Sequence, residues 1–368
     1  MSESNGRPED PEVAEQQTAE QEVTERETTE PETTTPEHEA QEAEPFSEGP
    51  PPLPEPMLVL DGDLPPVTEQ SEDAPLDHGT CAACGGAFDE DGWCTRCGER
   101  RPDPRDHYSE APAPHAAGVC DRGVRHTENQ DSLAVLADMG SPGEAALVVC
   151  DGVSSAPRSG EASLAAAAAA VRELADRSTP ARDRLARAAA AGSAAVSEVG
   201  RQVPDGAPSC TFVAGVLEEG VLTVGSVGDS RAYWFPDEGP GVLLTTDDSM
   251  AEEQIRAGMS RVEAETGPLG HTITRWLGPD APDHRPAVTV QEVGTPGWVV
   301  LCSDGLWNYA SEASDLERVL RTELSRTGQQ PLPLAEALVA WANGRGGIDN
   351  VTVALARVEG TRQDGRHV

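Results

Sequence analysis

The chain has 368 residues, a formal net charge of −38 and 27 basic residues that are all arginine. Nucleic-acid backbones are bound by clustered cations, so this balance excludes nucleic acid as an expected partner. Much of the excess is local: residues 1–78 hold 23 acidic side chains against 2 arginines.

Residues 1–78 are rich in Glu, Thr, Pro and Gln and almost free of aromatics. Such a segment buries too little apolar surface to offset its ordering entropy, and is expected to be a disordered acidic tail. Met57-Leu58-Val59-Leu60 is its one apolar patch. Thr28, Thr29 and Thr33 to Thr35 stand among glutamates, so a Ser/Thr kinase or a phosphothreonine reader is an expected partner of the tail. No cationic stretch leads into an apolar one, so no signal peptide is expected. The longest apolar stretch, around Ala165–Val171, is too short to span a bilayer, so no membrane partner is expected.

Residues 79–100 carry two CxxC pairs, Cys81-Ala82-Ala83-Cys84 and Cys94-Thr95-Arg96-Cys97, separated by nine residues. Each pair lets two thiolates converge on one ion, and four close a tetrahedral structural Zn²⁺ site. The unit resembles a zinc ribbon. So short a segment has no core of its own, and the metal would supply most of its folding energy, about 10–16 kcal/mol in small zinc peptides. Its few cations (Arg96, Arg100, Arg101, Arg105) suit protein docking or a spacer role. The other four cysteines, Cys120, Cys150, Cys210 and Cys302, sit on apolar runs and are expected as small buried hydrophobes. That split fits a reducing cytoplasm, the expected location.

Residues 101–116 are Pro-rich and are expected as a semi-rigid linker. A catalytic domain is expected over 117–358 and a polar tail over 359–368. Within the domain the patterning predicts strands at 145–150, 211–217, 221–227, 231–235, 297–302 and 351–357. It predicts helices at 159–176, 181–200, 250–257, 313–324 and 333–343. Glu218-Glu219-Gly220 and Gly228-Asp229-Ser230 read as turns joining successive strands of an antiparallel meander. Trp234, Trp276, Trp298 and Trp307 read as core or flap anchors.

Four aspartates, Asp151, Asp229, Asp304 and Asp349, stand at the edges of these apolar runs. A carboxylate at a strand end costs little facing a cation and much if buried alone. Several of them, far apart in sequence, point to strands converging on hard cations and to hydrolysis at phosphorus.

The segments carrying them resemble the type 2C metal-dependent Ser/Thr protein phosphatases of bacteria. Asp121 through Asp131 (DRGVRHTENQD) is similar to the family's first motif, and Val148–Gly152 with Ser159–Ser163 to its second. Ser209-Cys210-Thr211 with Val224–Tyr233 resembles its glycine-aspartate-serine-arginine strand pair. Asp247–Met250 resembles the start of its flap, and His271–Gly278 a later part. Leu301–Leu306 and Gly347–Val353 resemble the last two motifs, all in family order. The resemblance implies an α+β fold: a central antiparallel β-sandwich flanked by helices on both sides, four layers in the order αββα. It implies two or more Mn²⁺ or Mg²⁺ ions bridged by Asp151, with the Gly152 carbonyl, Asp304 and Asp349 as further ligands. It also implies direct attack of a metal-activated water on a phosphorylated protein substrate, without a phosphoenzyme. Asp131 would orient a ligand or bind through water, Asp229 would serve a third, weaker metal, and Asn350 would position a ligand.

Two departures bear on the phosphate. Where the family places an arginine three positions before Asn129, this chain has His126, beside Arg125. A bidentate arginine clamps phosphate better than an imidazole. Phosphate binding therefore falls to Arg125, Arg122 or protonated His126. After Asp151-Gly152 comes Val153-Ser154-Ser155-Ala156-Pro157-Arg158, without the histidine proposed as general acid in many members. Leaving-group protonation falls to a metal-bound water or to His126, and Arg158 is a further candidate for phosphate. His115, His271 and His284 read as isolated. The alternative function is a pseudophosphatase or adaptor that binds a partner through the same fold and ribbon.

Overall fold

Both faces of nearly every central strand are apolar, and this fixes the layering. The computed structural model describes residues 79–203 and 206–360. The expected acidic tail at 1–78, with its threonine cluster, lies outside the described residues, as does most of the polar tail at 359–368.

The strands are β1 (His107–Ala113), β2 (Ala116–Asp121), β3 (Ser132–Ala137), β4 (Ala145–Cys150), β5 (Phe212–Glu218), β6 (Val221–Val227), β7 (Arg231–Pro236), β8 (Val242–Leu243), β9 (Ala287–Glu292), β10 (Gly297–Cys302) and β11 (Val351–Val358). The helices are α1 (Ser159–Leu174), α2 (Ala181–Gly200), α3 (Met250–Arg256), α4 (Arg261–Thr266), α5 (Asp304–Trp307), α6 (Ala313–Thr327) and α7 (Pro331–Asn343). Two antiparallel sheets form, ordered β1-β2-β11-β10-β7-β8 and β3-β4-β5-β6-β9. In β10, Val299 and Leu301 point between the sheets, while Trp298, Val300 and Cys302 point to the helices. β11 alternates the same way, with Ala354 and Ala356 between the sheets and Val351, Val353 and Leu355 outward. Strands covered on both faces read as continuous apolar runs, which is why these segments lack polar alternation.

Helices α1 and α2 cover the outer face of the five-stranded sheet through Ala162, Ala166, Ala167, Ala170, Leu185 and Ala189. The alanine run lets the two helices and the sheet approach closely. A Cβ at Gly192 of α2 would stand 3.0 Å from Leu277. Helices α6 and α7 cover the six-stranded sheet through Leu316, Leu320, Leu334 and Leu338. The expected four-layer order αββα is the architecture observed. Two short helices start where side chains cap them: Ser249 Oγ accepts from Glu252 N–H at the start of α3, and Ser260 Oγ from Glu263 N–H at α4. No helix among the described residues is long and apolar enough to cross a membrane.

Two expectations need correction. The segment 101–116 is not simply a linker, because β1 occupies His107–Ala113 and pairs with β2. Its prolines misled. Pro112 falls where the register shifts, between Glu110 and Ala113, on the outer edge of the sheet, and there a proline breaks no ladder bond. The meander is also only half right. β5 and β6 form a hairpin, but Gly228-Asp229-Ser230 carries the chain across the sandwich, from β6 in one sheet to β7 in the other. Gly228 takes φ +98 there, and a Cβ would stand 2.9 Å from Thr211, so the crossing needs glycine.

Leu301 lies fully buried between the sheets, whereas Val290 on β9 is 54% exposed. Leu301→Ala is expected to lower unfolding free energy by about 2–5 kcal/mol, and Val290→Ala by no more than about 0.5 kcal/mol. Urea denaturation of the two variants checks this. Equal midpoints would contradict the two-sheet core.

Candidate metal centre

The four strand-end aspartates meet at one end of the sandwich. Asp151, Asp229, Asp304 and Asp349 line a single cleft of about 320 Å³. Each is fixed by its backbone. Asp151 follows β4; its N–H donates to Thr211 Oγ1 at 3.0 Å and its carbonyl accepts from Thr211 N–H at 2.7 Å. Thr211 Oγ1 in turn lies 2.7 Å from Ser230 Oγ, which ties β5 to the crossing segment. Gly152 N–H donates to Gln130 O at 3.1 Å. A Cβ at Gly152 would stand 2.6 Å from Gln130 O and 2.7 Å from Ser159 O, so no side chain fits beside Asp151. Asp229 sits on the crossing, and its carbonyl accepts from Trp307 Nε1 at 2.9 Å.

Asp304 opens α5 directly after β10, and its Oδ2 accepts from Asn308 Nδ2 at 3.0 Å. Asp349 precedes β11; its Oδ1 accepts from Asn350 N–H at 2.8 Å and lies 3.1 Å from His126 Nε2. Asn350 points away from the cleft and binds the loop before β3. Its Oδ1 accepts from Gln130 N–H at 2.8 Å, and its Nδ2 donates to Arg122 O at 2.7 Å and Glu128 O at 3.1 Å. Asn350 thus positions the loop that carries Arg125 and His126.

Asp131 is fully buried at the start of β3. Its Oδ2 accepts from Ser303 Oγ and Thr352 Oγ1, both at 2.7 Å, and so joins the segments that carry Asp304 and Asp349. The supposed linker also braces this corner. Arg105 donates to Gly160 O at 2.7 Å, Asp131 O at 2.8 Å and Ser132 Oγ at 2.9 Å, while its carbonyl accepts from Asn129 Nδ2 at 2.7 Å.

Gathering these carboxylates out of water raises their proton affinity. Burial first, then repulsion from Asp349 and Asp304, pushes Asp131 up to about 7. Burial, then Asp349, pushes Asp304 up to about 6. Asp151 and Asp229 are driven well above the ordinary carboxylate range, again by burial first and then by neighbouring aspartates. Asp131 Oδ1 and Asp304 Oδ1 are buried without a hydrogen-bond partner. Orphaned carboxylate oxygens among like charges fit hard divalent cations, which take oxygen ligands. Among the described residues no three of these carboxylates bring one oxygen each within 4.8 Å of one another, so they line a cleft and do not enclose a single point.

The cations stand at its margin. Arg125 is exposed and lines an adjoining groove with His126. Arg122 is held by Asp106, with Nε 3.1 Å from Oδ1. Arg158, in a left-handed conformation at φ 53, is engaged by Glu161 and by Gln202 Oε1 at 3.1 Å. His271, expected to be isolated, lines the cleft with the aspartates. It opens the His271–Gly278 segment and is held by the fold of the chain after α4, where Met250 N–H donates to Thr272 O at 2.8 Å. Ser154 and Ser155 line the cleft too.

The four cysteines of the two CxxC pairs converge separately. Their sulfurs all lie within 4.8 Å of one another, with Cys81 to Cys97 at 3.7 Å and Cys84 to Cys94 at 3.5 Å. Each pair ends in a tight turn: Gly85 N–H donates to Cys81 O and Gly98 N–H to Cys94 O, both at 2.8 Å, with φ +72 and +74 at the glycines. The backbone N–H of Cys97 pulls the Cys94 thiol down to about 6.

A family model described as protein phosphatase 2C matches residues 122–342. The serine/threonine phosphatase stp of Listeria innocua is 31% identical over 148 residues, which is 39% of this chain and 55% of that protein. The chain spans about half the length of the curated relatives it matches. Among solved structures, the Ser-Thr phosphatase MsPP of Mycobacterium smegmatis, in complex with cacodylate, superposes with a TM-score of 0.55 at 30% identity, over 67% of this chain and 98% of that one. The catalytic domain of the serine threonine protein phosphatase PstP, in complex with two manganese ions, gives 0.53 at 25% identity, over 66% and 98%.

The raised carboxylates predict a pH dependence for the metal-free protein. Asp131 at about 7 and Asp304 at about 6 lie above the values of an unfolded chain, near 4. Between those limits the folded state binds more protons, so stability is full below about pH 4 and falls as pH rises to about 7. In chelator the thermal midpoint is expected to fall between about pH 5 and pH 8, and Mn²⁺ at about pH 8 to restore it. A midpoint in chelator that rises over this range would contradict the assignment.

Proposed function

The chain belongs to the protein phosphatase 2C family, and from that membership we propose that it is a metal-dependent protein serine/threonine phosphatase acting in bacterial signalling. One observation carries the reading: four aspartates from four strand ends, far apart in sequence, line one cleft. The donor set fits Mn²⁺ or Mg²⁺, since every side-chain donor is a carboxylate and one of their oxygens, Asp304 Oδ1, is buried without a partner. Asp151, the Gly152 carbonyl, Asp304 and Asp349 would hold two ions, and Asp229 a further one. Bound there, the ions supply Lewis acidity at the phosphoryl oxygens and make a water acidic enough to attack phosphorus.

The remaining roles belong to the chain itself. Thr211 fixes the backbone of Asp151, and Ser303 and Thr352 fix Asp131 against the two segments that bring Asp304 and Asp349. His126 Nε2 is turned to Asp349, so His126 orients that carboxylate and Arg125 becomes the candidate for meeting the phosphate. Arg122 and Arg158 are committed to Asp106 and Glu161. His271, in the cleft, is the histidine we assign to protonating the leaving serine or threonine oxygen through its imidazole N–H.

The four cysteines would hold a structural Zn²⁺, and free thiols throughout the described residues suit a reducing cytoplasm. The catalytic domain then begins at β1 and ends with β11, with the ribbon before it. The substrate is a phosphorylated protein; a kinase or phosphothreonine reader on the acidic tail stays a proposal from the sequence.

With Mn²⁺ the full chain is expected to hydrolyse phosphothreonine peptides and an aryl phosphate. Asp304→Asn or chelator should lower the rate at least about 100-fold, and Thr352→Val about tenfold. Metal analysis should find about one zinc per chain, lost in Cys81→Ser. A metal-loaded wild type inert on every substrate would leave the adaptor reading.

A further inference from the structure

The ribbon and the loop before β3 face each other across a groove of about 840 Å³. Trp93 and Arg100 stand on the ribbon side; Val124, Arg125 and His126 stand on the loop side. Trp93 is 49% exposed and Val124 59% exposed, although both are large apolar side chains. The ribbon does not use Trp93 for its own packing, since its small core is Cys81, Phe88 and Cys94. Arg100 donates to Thr127 O and so fastens the ribbon to the loop.

A side-chain contact links the groove to the metal centre. His126 lines the groove, and its Nε2 is 3.1 Å from Oδ1 of Asp349, which lines the cleft. A chain whose phosphorylated side chain enters the cleft can leave it past His126 into the groove. Neither Arg100 nor Arg125 forms an ion pair among the described residues. Two such cations suit one carboxylate or the incoming phosphate, while Glu99 and Glu128 on the same walls oppose a polyanion such as nucleic acid.

We propose that the cysteine ribbon is the docking wall for the protein substrate. The groove takes the extended segment beside the phosphorylated residue and seats an apolar side chain between Trp93 and Val124. This rests on the phosphatase reading. Apolar anchors in a pocket, not the full contact area, carry most of the energy in such docking. Trp93 is thus a specificity residue that touches the substrate away from the reacting atoms.

The test uses the full chain with Mn²⁺ and three substrates: a phosphothreonine peptide with leucines flanking the phosphothreonine, the same peptide with glycines there, and an aryl phosphate. Trp93→Ala should raise KM for the leucine peptide about fivefold and leave kcat/KM for the other two within about twofold, and Trp93→Phe should restore most of the preference. A leucine-to-glycine ratio unchanged in Trp93→Ala, or an equal loss on all three substrates, overturns the docking role. If no substrate is hydrolysed, the phosphatase reading fails. The groove is then judged by calorimetry with the leucine peptide: about fivefold weaker binding in Trp93→Ala supports it, and equal binding overturns it.

Discussion

Mutual repulsion among buried and half-buried carboxylates is the constraint on which this structure turns. Asp131, Asp151, Asp229 and Asp304 are all driven to bind protons by burial and by one another. A fold does not hold such a group for stability, because each buried charge loses hydration and gains only like-charged neighbours. Divalent cations remove both costs at once. Under the proposed function, the end of the sandwich is a socket for such cations.

The surrounding residues hold that socket in shape. Ser303 and Thr352 join two sheet strands through Asp131, and Thr211 with Ser230 joins the second sheet to the crossing segment. Arg231 extends the frame. It is almost fully buried, pairs with Asp247 at 2.7 Å and Glu265 at 3.1 Å, and lies 3.5 Å over the Trp307 ring. Trp307 in turn donates to the carbonyl of Asp229. A buried guanidinium keeps its charge only when satisfied on several sides, as here by two carboxylates, Ser311 O and a π-face. The network ties the segment with α3 and α4 to the crossing that carries Asp229, so the element carrying His271 is registered against the aspartates.

The central layers were legible because burial on both faces leaves a plain signal. β10 and β11 are unbroken apolar runs, and the alanine and leucine periodicity of α1, α2 and α6 has the helical spacing. The strand-end aspartates were legible for the same reason: a carboxylate closing an apolar run stands out. β2 and β3 were not, since Ala-Ala-Gly-Val-Cys-Asp and Ser-Leu-Ala-Val-Leu-Ala carry alanines that favour no strand. β1 was hidden by its proline, acceptable only because it lies on an edge. The passage from β6 to β7 between sheets leaves no local trace, since a turn and a crossing use the same glycine. His271 and Arg105 were beyond reach for a further reason: each acts through neighbours distant in sequence. His271 lines the cleft beside Asp304 and Asp349, and Arg105 holds Gly160 and Asp131.

Everything at this end of the sandwich depends on cation binding. The most direct measurement is calorimetric titration of Mn²⁺ into the chelator-treated, zinc-loaded chain near pH 7, repeated in buffers of different ionisation enthalpy. At least two ions should bind per chain, with release of protons from the raised carboxylates. The thiolates of Cys81, Cys84, Cys94 and Cys97 are soft donors and should take little Mn²⁺. Binding of one ion or none, or binding without proton release, would contradict a metal centre built from these aspartates.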